Sequence, residues 1–183
     1  MPVDVIVLNG GSSSGKTSIS EHVQRGLPGT WLVLGVDDLI RALSFGRRDT
    51  SAGGTLEFAA DGTITVSDRF RRAESAWRDG IAAIATAGVG VILDEVLLDG
   101  GDSQARLLQS IGGLTVAWIG VRCDPDVAEA RERQRGDRVR GMARDQAQRV
   151  HRGVSYDYVV DSSHRTPAAC AADIVAYVTS QFR

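Results

Sequence analysis

One segment of this 183-residue chain has the residue types and spacing of a phosphate-binding loop. Residues 10–17 read Gly-Gly-Ser-Ser-Ser-Gly-Lys-Thr and match the pattern G-x-x-x-x-G-K-[ST]. Lys16 is the only lysine of the chain, and it stands where a flexible ammonium group reaches the β- and γ-phosphates. Backbone N–H groups would hold the phosphates and the Thr17 hydroxyl would bind Mg²⁺, whereas the alternative is an ordinary glycine-rich turn. The predicted nucleotide contacts are Gly10, Gly11, Ser12, Ser13, Ser14, Gly15, Lys16 and Thr17.

Carboxylates stand at the ends of two apolar runs. Asp37 directly follows the run 31–36, and it would accept a proton from a hydroxyl or orient that hydroxyl toward the γ-phosphate. Either Asp37 or Asp38 would alternatively cap the helix that follows. Asp94 ends a later apolar run and precedes Glu95, an arrangement typical of a magnesium-binding strand end. The alternative for Asp94 is a structural carboxylate.

A dense run of arginines occupies residues 131–141, with five of them in ten positions. The planar guanidinium fork suits phosphate oxygens and stabilises charge during phosphoryl transfer, so we interpret this run as a lid over the triphosphate. We assign Arg133 and Arg135 to phosphate binding and Arg138 to catalysis, although spacing alone does not resolve which arginines touch phosphate. The alternative is a solvated helical face whose arginines pair with acids one turn away.

Strands and helices alternate along the chain. Five apolar, β-branched runs predict strands buried on both faces, and therefore a five-stranded parallel sheet between two layers of helices. We expect this three-layer α/β arrangement to form one domain over residues 1–183. The predicted strands are 3–8, 31–36, 89–94, 115–121 and 156–160, and the predicted helices are 16–26, 38–44, 68–87, 102–111, 125–135, 140–151 and 167–181.

Residues 45–67 interrupt this alternation with a hairpin-like turn signal at 60–62. An excursion at this point leaves the sheet near the carboxyl ends of its strands, where ligands of such folds bind. It is therefore either a cap over an acceptor molecule or a surface decoration. Phe45 and Phe58 are candidate acceptor contacts, with core packing as the alternative. Glu74 lies on the apolar face of its helix, where it would pair with an arginine or line the acceptor pocket.

Composition excludes several classes of protein. The net charge of −2 gives no general affinity for nucleic acid or an anionic membrane, and the two cysteines show no metal-binding spacing. We therefore expect a cytoplasmic protein without nucleic-acid or membrane partners. A homo-oligomer remains open from the sequence.

The sequence resembles the chloramphenicol phosphotransferase family of P-loop kinases over nearly its whole length. The phosphate loop alone is shared with many ATPases, but the context of Asp37 and the run 135–142 are more specific. The segments that carry the resemblance are 8–16, 35–40, 57–62, 120–124, 135–139, 141–143, 153–154 and 156–157.

The resemblance implies ATP- and Mg²⁺-dependent phosphorylation of the primary 3-hydroxyl of the antibiotic, which inactivates it, in a fold similar to adenylate and shikimate kinases. It also implies that Asp37 is the base acting on that hydroxyl. The chain departs from a member of this family at Glu95, where that member has aspartate, and over residues 44–51. Two alternatives stay open: a kinase of another natural-product or metabolic alcohol, and a nucleotide-binding regulatory module without an acceptor.

Overall fold

The structure is a computed structural model that describes residues 2–43, 56–58, 64–135 and 141–182. The strands are β1 (Val5–Asn9), β2 (Trp31–Gly35), β3 (Leu56–Phe58), β4 (Ile64–Val66), β5 (Gly90–Glu95), β6 (Val116–Arg122) and β7 (Tyr158–Asp161). The helices are α1 (Lys16–Gly26), α2 (Val36–Ala42), α3 (Asp68–Thr86), α4 (Gly101–Ile111), α5 (Pro125–Arg135), α6 (Met142–Arg149) and α7 (Pro167–Gln181).

Five of these strands form one parallel sheet in the order β2-β5-β1-β6-β7. The register places Asp94 of β5 beside Leu8 of β1 on one side and beside Gly35 of β2 on the other. Because all five strands run in the same direction, the segments that follow β1, β2 and β5 leave the sheet at one edge. This edge holds the candidate site.

The core lies on both faces of the sheet because successive strand residues point to opposite sides. Ile6 and Leu8 of β1 belong to a buried cluster that includes residues of α1 and α7. Val5 and Val7 belong to a second buried cluster that includes residues of α3 and α4. The predicted three-layer α/β fold with a five-stranded parallel sheet is therefore confirmed.

Element boundaries differ from the predictions by a few residues, and the largest consequence concerns α2. Strand β2 ends at Gly35, so Asp37 lies in the first turn of α2 and not at the end of the strand. The helix starts early because the Asp38 carboxylate accepts a hydrogen bond from the backbone N–H of Gly35, at 2.8 Å, and caps it. The predicted hairpin is confirmed by the antiparallel pairing of β3 with β4.

Two further observations concern residues away from the site. Cys123 and Cys170 are both free and buried, as expected of small apolar side chains. Within the described ranges, no helix is long and apolar enough to cross a membrane.

Candidate active site

The loop between β1 and α1 has a backbone that its residue types explain. Gly15, directly before α1, has a φ of +86°, in the left-handed region that glycine enters without strain. A Cβ atom on Gly10 would lie 2.5 Å from the carbonyl oxygen of Val121 and 2.9 Å from Ser14 Oγ. Ser13 also has a positive φ, of 59°. Alternating backbone conformations of this kind turn successive N–H groups inward to form an anion-binding concavity.

The last two residues of the phosphate-loop pattern, Lys16 and Thr17, both contact Asp94. The Lys16 side chain is 7% exposed, and its Nζ lies 3.4 Å from Asp94 Oδ1. The same ammonium donates to the Gly11 carbonyl oxygen at 3.3 Å. Thr17 Oγ1 donates to Asp94 Oδ2 at 2.7 Å. Asp94 therefore contacts both residues that end the phosphate-loop pattern. The pairing of β1 with β5 places it there, because it brings Asp94 beside the strand that leads into the loop.

One cavity of about 400 Å³ joins these groups to Asp37. Its lining includes the loop residues 11–17, Asp94 and Asp37. Asp37 enters this lining from the first turn of α2, whereas Asp38 is held by its capping bond to Gly35. The structure therefore brings Asp37, Lys16, Thr17 and Asp94 to one cleft.

Three charged residues, Glu74, Arg78 and Glu95, also line this cavity. Arg78 of α3 is 7% exposed, and its Nη2 donates to Glu74 Oε1 at 2.8 Å. Glu95 is 6% exposed. Burial raises the pKa of Glu95 to about 7 against the opposing charge of Arg78, and the carboxylates of Glu74 and Asp94 add to the rise. Glu74 therefore pairs with an arginine, as one of the two alternatives predicted, and it also lines the cavity that Asp37 enters.

Of the three arginines predicted to contact phosphate, Arg133 alone has a side chain in the described part of the structure. Arg133 is 61% exposed and pairs with Glu129 at 3.2 Å, and it does not line the main cavity. Arg135 ends α5, but its side chain lies outside the described part of the structure, as does Arg138. Phe45 also falls outside the described residues. Phe58 ends β3, and its side chain is not among those described.

Arg131, from the same arginine-rich run, lies beside the phosphate loop. It lines a second cavity, of about 350 Å³, together with Ser13, Ser14, Arg165 and Pro167. Its Nη2 donates to the carbonyl oxygens of residues 162 and 163 at 2.8 and 3.2 Å, which fixes the guanidinium plane. Sequence reasoning did not separate Arg131 from its neighbours, because the facing residues are about 30 positions away in the chain.

The loop also rests on a buried polar network that sequence reasoning missed. Asn9, the last residue of β1, donates to the carbonyl oxygen of Val150 at 2.8 Å and hydrogen-bonds the Tyr156 hydroxyl at 2.5 Å. The same hydroxyl lies 2.6 Å from His151 Nδ1. The Ser12 N–H donates to Gln146 Oε1 at 2.9 Å. These contacts join the start of the phosphate loop to α6 and to the segment after it.

We expect His151 to make stability depend on pH. Burial lowers its pKa from 6.5 to about 4, and the positive charges of Arg122 and Lys16 act in the same direction. Between these two pH values the unfolded chain therefore binds more protons than the folded one. The contribution of neutral His151 to the free energy of unfolding is complete above about pH 6.5 and is lost as the pH falls through about 4. The loss amounts to at most about 3 kcal/mol.

The measurement is urea unfolding between pH 4 and 7.5 for the parent protein and His151→Asn. The free energy of unfolding of His151→Asn should depend less on pH than that of the parent protein. His164→Asn, at an exposed histidine, should keep the pH dependence of the parent. Parallel curves for the parent and His151→Asn would contradict this assignment.

The chain is similar to known proteins in both sequence and fold. A predicted O-phosphotransferase of Mycobacterium tuberculosis is 28% identical over 169 residues, which cover 87% of this chain and 75% of that protein. The unliganded structure of a sugar kinase from Janibacter sp. superposes with a TM-score of 0.69 at 18% identity, covering 97% of this chain and 95% of that one. The APS kinase of Mycobacterium tuberculosis, in complex with AMPPNP and APS, gives a TM-score of 0.61 at 14% identity, covering 98% and 99%.

The two structural likenesses are below 25% identity and concern the fold alone, which is that of P-loop kinases. A family model gives the more specific result. The model for chloramphenicol phosphotransferase-like proteins matches residues 3–179, and this span contains the phosphate loop, Asp37 and Asp94. The chain is therefore a P-loop phosphotransferase that belongs to the chloramphenicol phosphotransferase-like family.

Proposed function

We propose that this chain transfers the γ-phosphoryl group of ATP to a hydroxyl of a small molecule, with chloramphenicol or a related compound as the acceptor. The observation that carries the proposal is the cavity shared by Lys16, Thr17, Asp94 and Asp37. A nucleotide-binding regulator would need Lys16, Thr17 and Asp94 but not Asp37. A carboxylate facing the same space is what an acceptor hydroxyl requires.

The residues of the loop fit a nucleotide. The Ser13 and Ser14 hydroxyls are buried, and among the described residues they have no hydrogen-bond partner. Phosphate oxygens would satisfy both, since buried polar groups are costly without a partner. The second cavity adjoins these serines, and the fixed guanidinium of Arg131 there offers a flat surface on which a nucleobase stacks. The fold neighbour bound to AMPPNP supports ATP as the donor.

The Asp94 carboxylate, near the end of β5, and the Thr17 hydroxyl, at the start of α1, fit Mg²⁺. Thr17 Oγ1 and Asp94 Oδ2 are 2.7 Å apart, and oxygen ligands of this kind suit a hard divalent cation. When bound, Mg²⁺ neutralises charge on the β- and γ-phosphates. The Lys16 ammonium, next to Asp94, would stabilise the negative charge that develops on the γ-phosphoryl oxygens.

Asp37 would orient the acceptor hydroxyl and take its proton as the oxygen attacks phosphorus. The phosphorus–oxygen bond to ADP then breaks, and the products are a phosphate monoester and ADP. Because phosphoryl transfer needs little covalent chemistry from the protein, positioning and charge stabilisation supply most of the acceleration. We further propose Arg133, Arg135 and Arg138 as lid groups that neutralise phosphate charge.

The remaining assignments concern the organisation of the chain. We propose one kinase domain over residues 1–183, in which 45–67 cap the acceptor and 131–141 close over the nucleotide. Phe45 and Phe58 would then contact the acceptor. The proposal rests on the family resemblance and on the position of β3 and β4 in the chain, between α2 and α3.

The test is phosphorylation of defined acceptors by the purified protein with Mg·ATP. Chloramphenicol should gain one phosphoryl group by mass spectrometry and should stimulate ADP release. The analogue in which fluorine replaces the primary hydroxyl should do neither, which makes it the matched control. Phosphorylation of other alcohols alone would retain the kinase and change the acceptor. Nucleotide binding without acceptor-dependent ADP release would favour the regulatory module.

A further inference from the structure

The cavity has a charged wall that the transfer chemistry does not use. Arg78 and Glu74 lie one turn apart on α3, and Glu95 ends β5 directly after Asp94. Arg78 and Glu95 are both more than nine-tenths buried, and all three residues line the cavity that Asp37 enters. Burying charged groups is costly unless partners compensate them, so such a wall calls for an explanation.

The compensation within the described residues is incomplete. Arg78 Nη2 donates to Glu74 Oε1 at 2.8 Å, but Arg78 Nε is buried and has no hydrogen-bond partner among the described residues. The Glu95 carboxyl group is buried and experiences the opposing charge of Arg78. A donor without a partner, Arg78 Nε, and the buried Glu95 carboxyl group therefore border the space in which an alcohol would have to lie.

Two of the other cations at this end of the cavity are paired with acids. Arg41 pairs with Asp38 at 3.3 Å, and Arg106 pairs with Asp99 at 2.5 Å. Arg71, which also lines the cavity, is exposed. A carboxylate on the acceptor would share this cavity with the Asp37 carboxylate and with Glu95, which is negatively charged above about pH 7. Repulsion of this kind excludes wrong ligands as effectively as contacts select right ones.

We propose that Arg78 and Glu95 determine acceptor specificity. This inference rests on the proposed phosphotransferase function. Arg78 Nε donates to an uncharged oxygen of the acceptor, and the Glu95 carboxyl group accepts from a second hydroxyl or an amide N–H. The acceptor is therefore an uncharged molecule with at least one polar group besides the reacting hydroxyl, and hydroxy acids are excluded.

The first test uses Arg78→Lys, which keeps the positive charge facing Glu74 but removes the Nε donor and the planar fork. The KM for the best neutral acceptor should rise at least tenfold, while the KM for ATP and the binding of a fluorescent ATP analogue stay unchanged. Arg72→Lys, at an exposed position of the same helix, is the matched control and should leave all three values unchanged. Equal acceptor KM values for the two variants would overturn the role of Arg78.

The second test uses Glu95→Gln, which keeps the shape and removes the negative charge. The acceptor panel contains neutral hydroxy-amides (chloramphenicol among them), neutral polyols and the hydroxy acids gluconate and shikimate. The ratio of kcat/KM for the best neutral acceptor to that for the best hydroxy acid should fall at least tenfold in the variant. An unchanged ratio would overturn the role of Glu95, and this variant decides the matter if Arg78→Lys unfolds.

The activity of the parent protein distinguishes a failure of the proposed function from a failure of the specificity inference. If it phosphorylates none of the alcohols but binds ATP, the proposed function fails. If it phosphorylates hydroxy acids in preference to neutral acceptors, the function stands and the specificity inference fails.

Discussion

Asp37→Asn is expected to lower kcat for phosphoryl transfer by about 100- to 10,000-fold, the range typical of a lost general base. Asparagine has nearly the same shape, so it still lines the cavity but no longer takes a proton from the acceptor hydroxyl. The affinity for ATP should be unchanged because Asp37 belongs to α2, which follows β2, whereas the loop follows β1 and β5 lies between these two strands. Single-turnover transfer and binding of a fluorescent ATP analogue measure the two quantities separately.

Asp79→Asn is the matched control, because Asp79 is exposed on α3 and does not line the cavity. It should leave transfer and binding at their parent values. Full activity of Asp37→Asn would remove Asp37 from the mechanism. A protein that binds nucleotide for regulation alone would show no difference between the two variants in any acceptor-dependent assay.

Lys16→Met is expected to reduce kcat/KM for ATP by about 100- to 1,000-fold, because one preorganised positive charge at the transferring phosphoryl group is lost. Methionine keeps the length and apolar stem of the side chain. The substitution also leaves Asp94 without the ammonium that lies 3.4 Å away. Binding of the ATP analogue should therefore weaken along with the rate of transfer.

The control for this substitution is Arg25→Met on the same helix, at a side chain that is 63% exposed. It should retain parent kinetics. Thermal unfolding of Lys16→Met in the absence of nucleotide separates a lost ligand contact from a lost fold. A well-folded Lys16→Met protein with normal kcat/KM would contradict the proposed role of the loop.

Sequence patterns predicted the fold well because the three central strands of its sheet, β1, β5 and β6, are largely buried. In β1 every residue from Val5 to Asn9 is buried, and such continuous apolar runs are difficult to read as anything but central parallel strands. The α2 boundary was wrong by two residues, since Asp38 and not Asp37 supplies the cap. A pair of adjacent aspartates before a helix does not indicate which one bonds the backbone.

The candidate site was predicted where local sequence determines geometry and was missed where distant residues decide it. The phosphate loop has its own spacing signature, and Lys16 and Thr17 follow from it. Arg131, which lines the second cavity, could not be distinguished from Arg133, because the direction in which α5 presents each side chain depends on its packing. The burial of Arg78 likewise depends on the packing of α3 against other elements, which no pattern within α3 reveals.

The burial of Lys16 also determines how the protein meets amine-directed chemistry. Every other basic side chain apart from the three histidines is a guanidinium, and guanidinium groups do not react with acylating agents under mild conditions. The only side-chain amine is therefore the one beside Asp94, at 7% exposure. Acetylation or cross-linking through a lysine would therefore not modify an exposed surface residue. It would modify Lys16 and remove the positive charge that the proposed reaction requires.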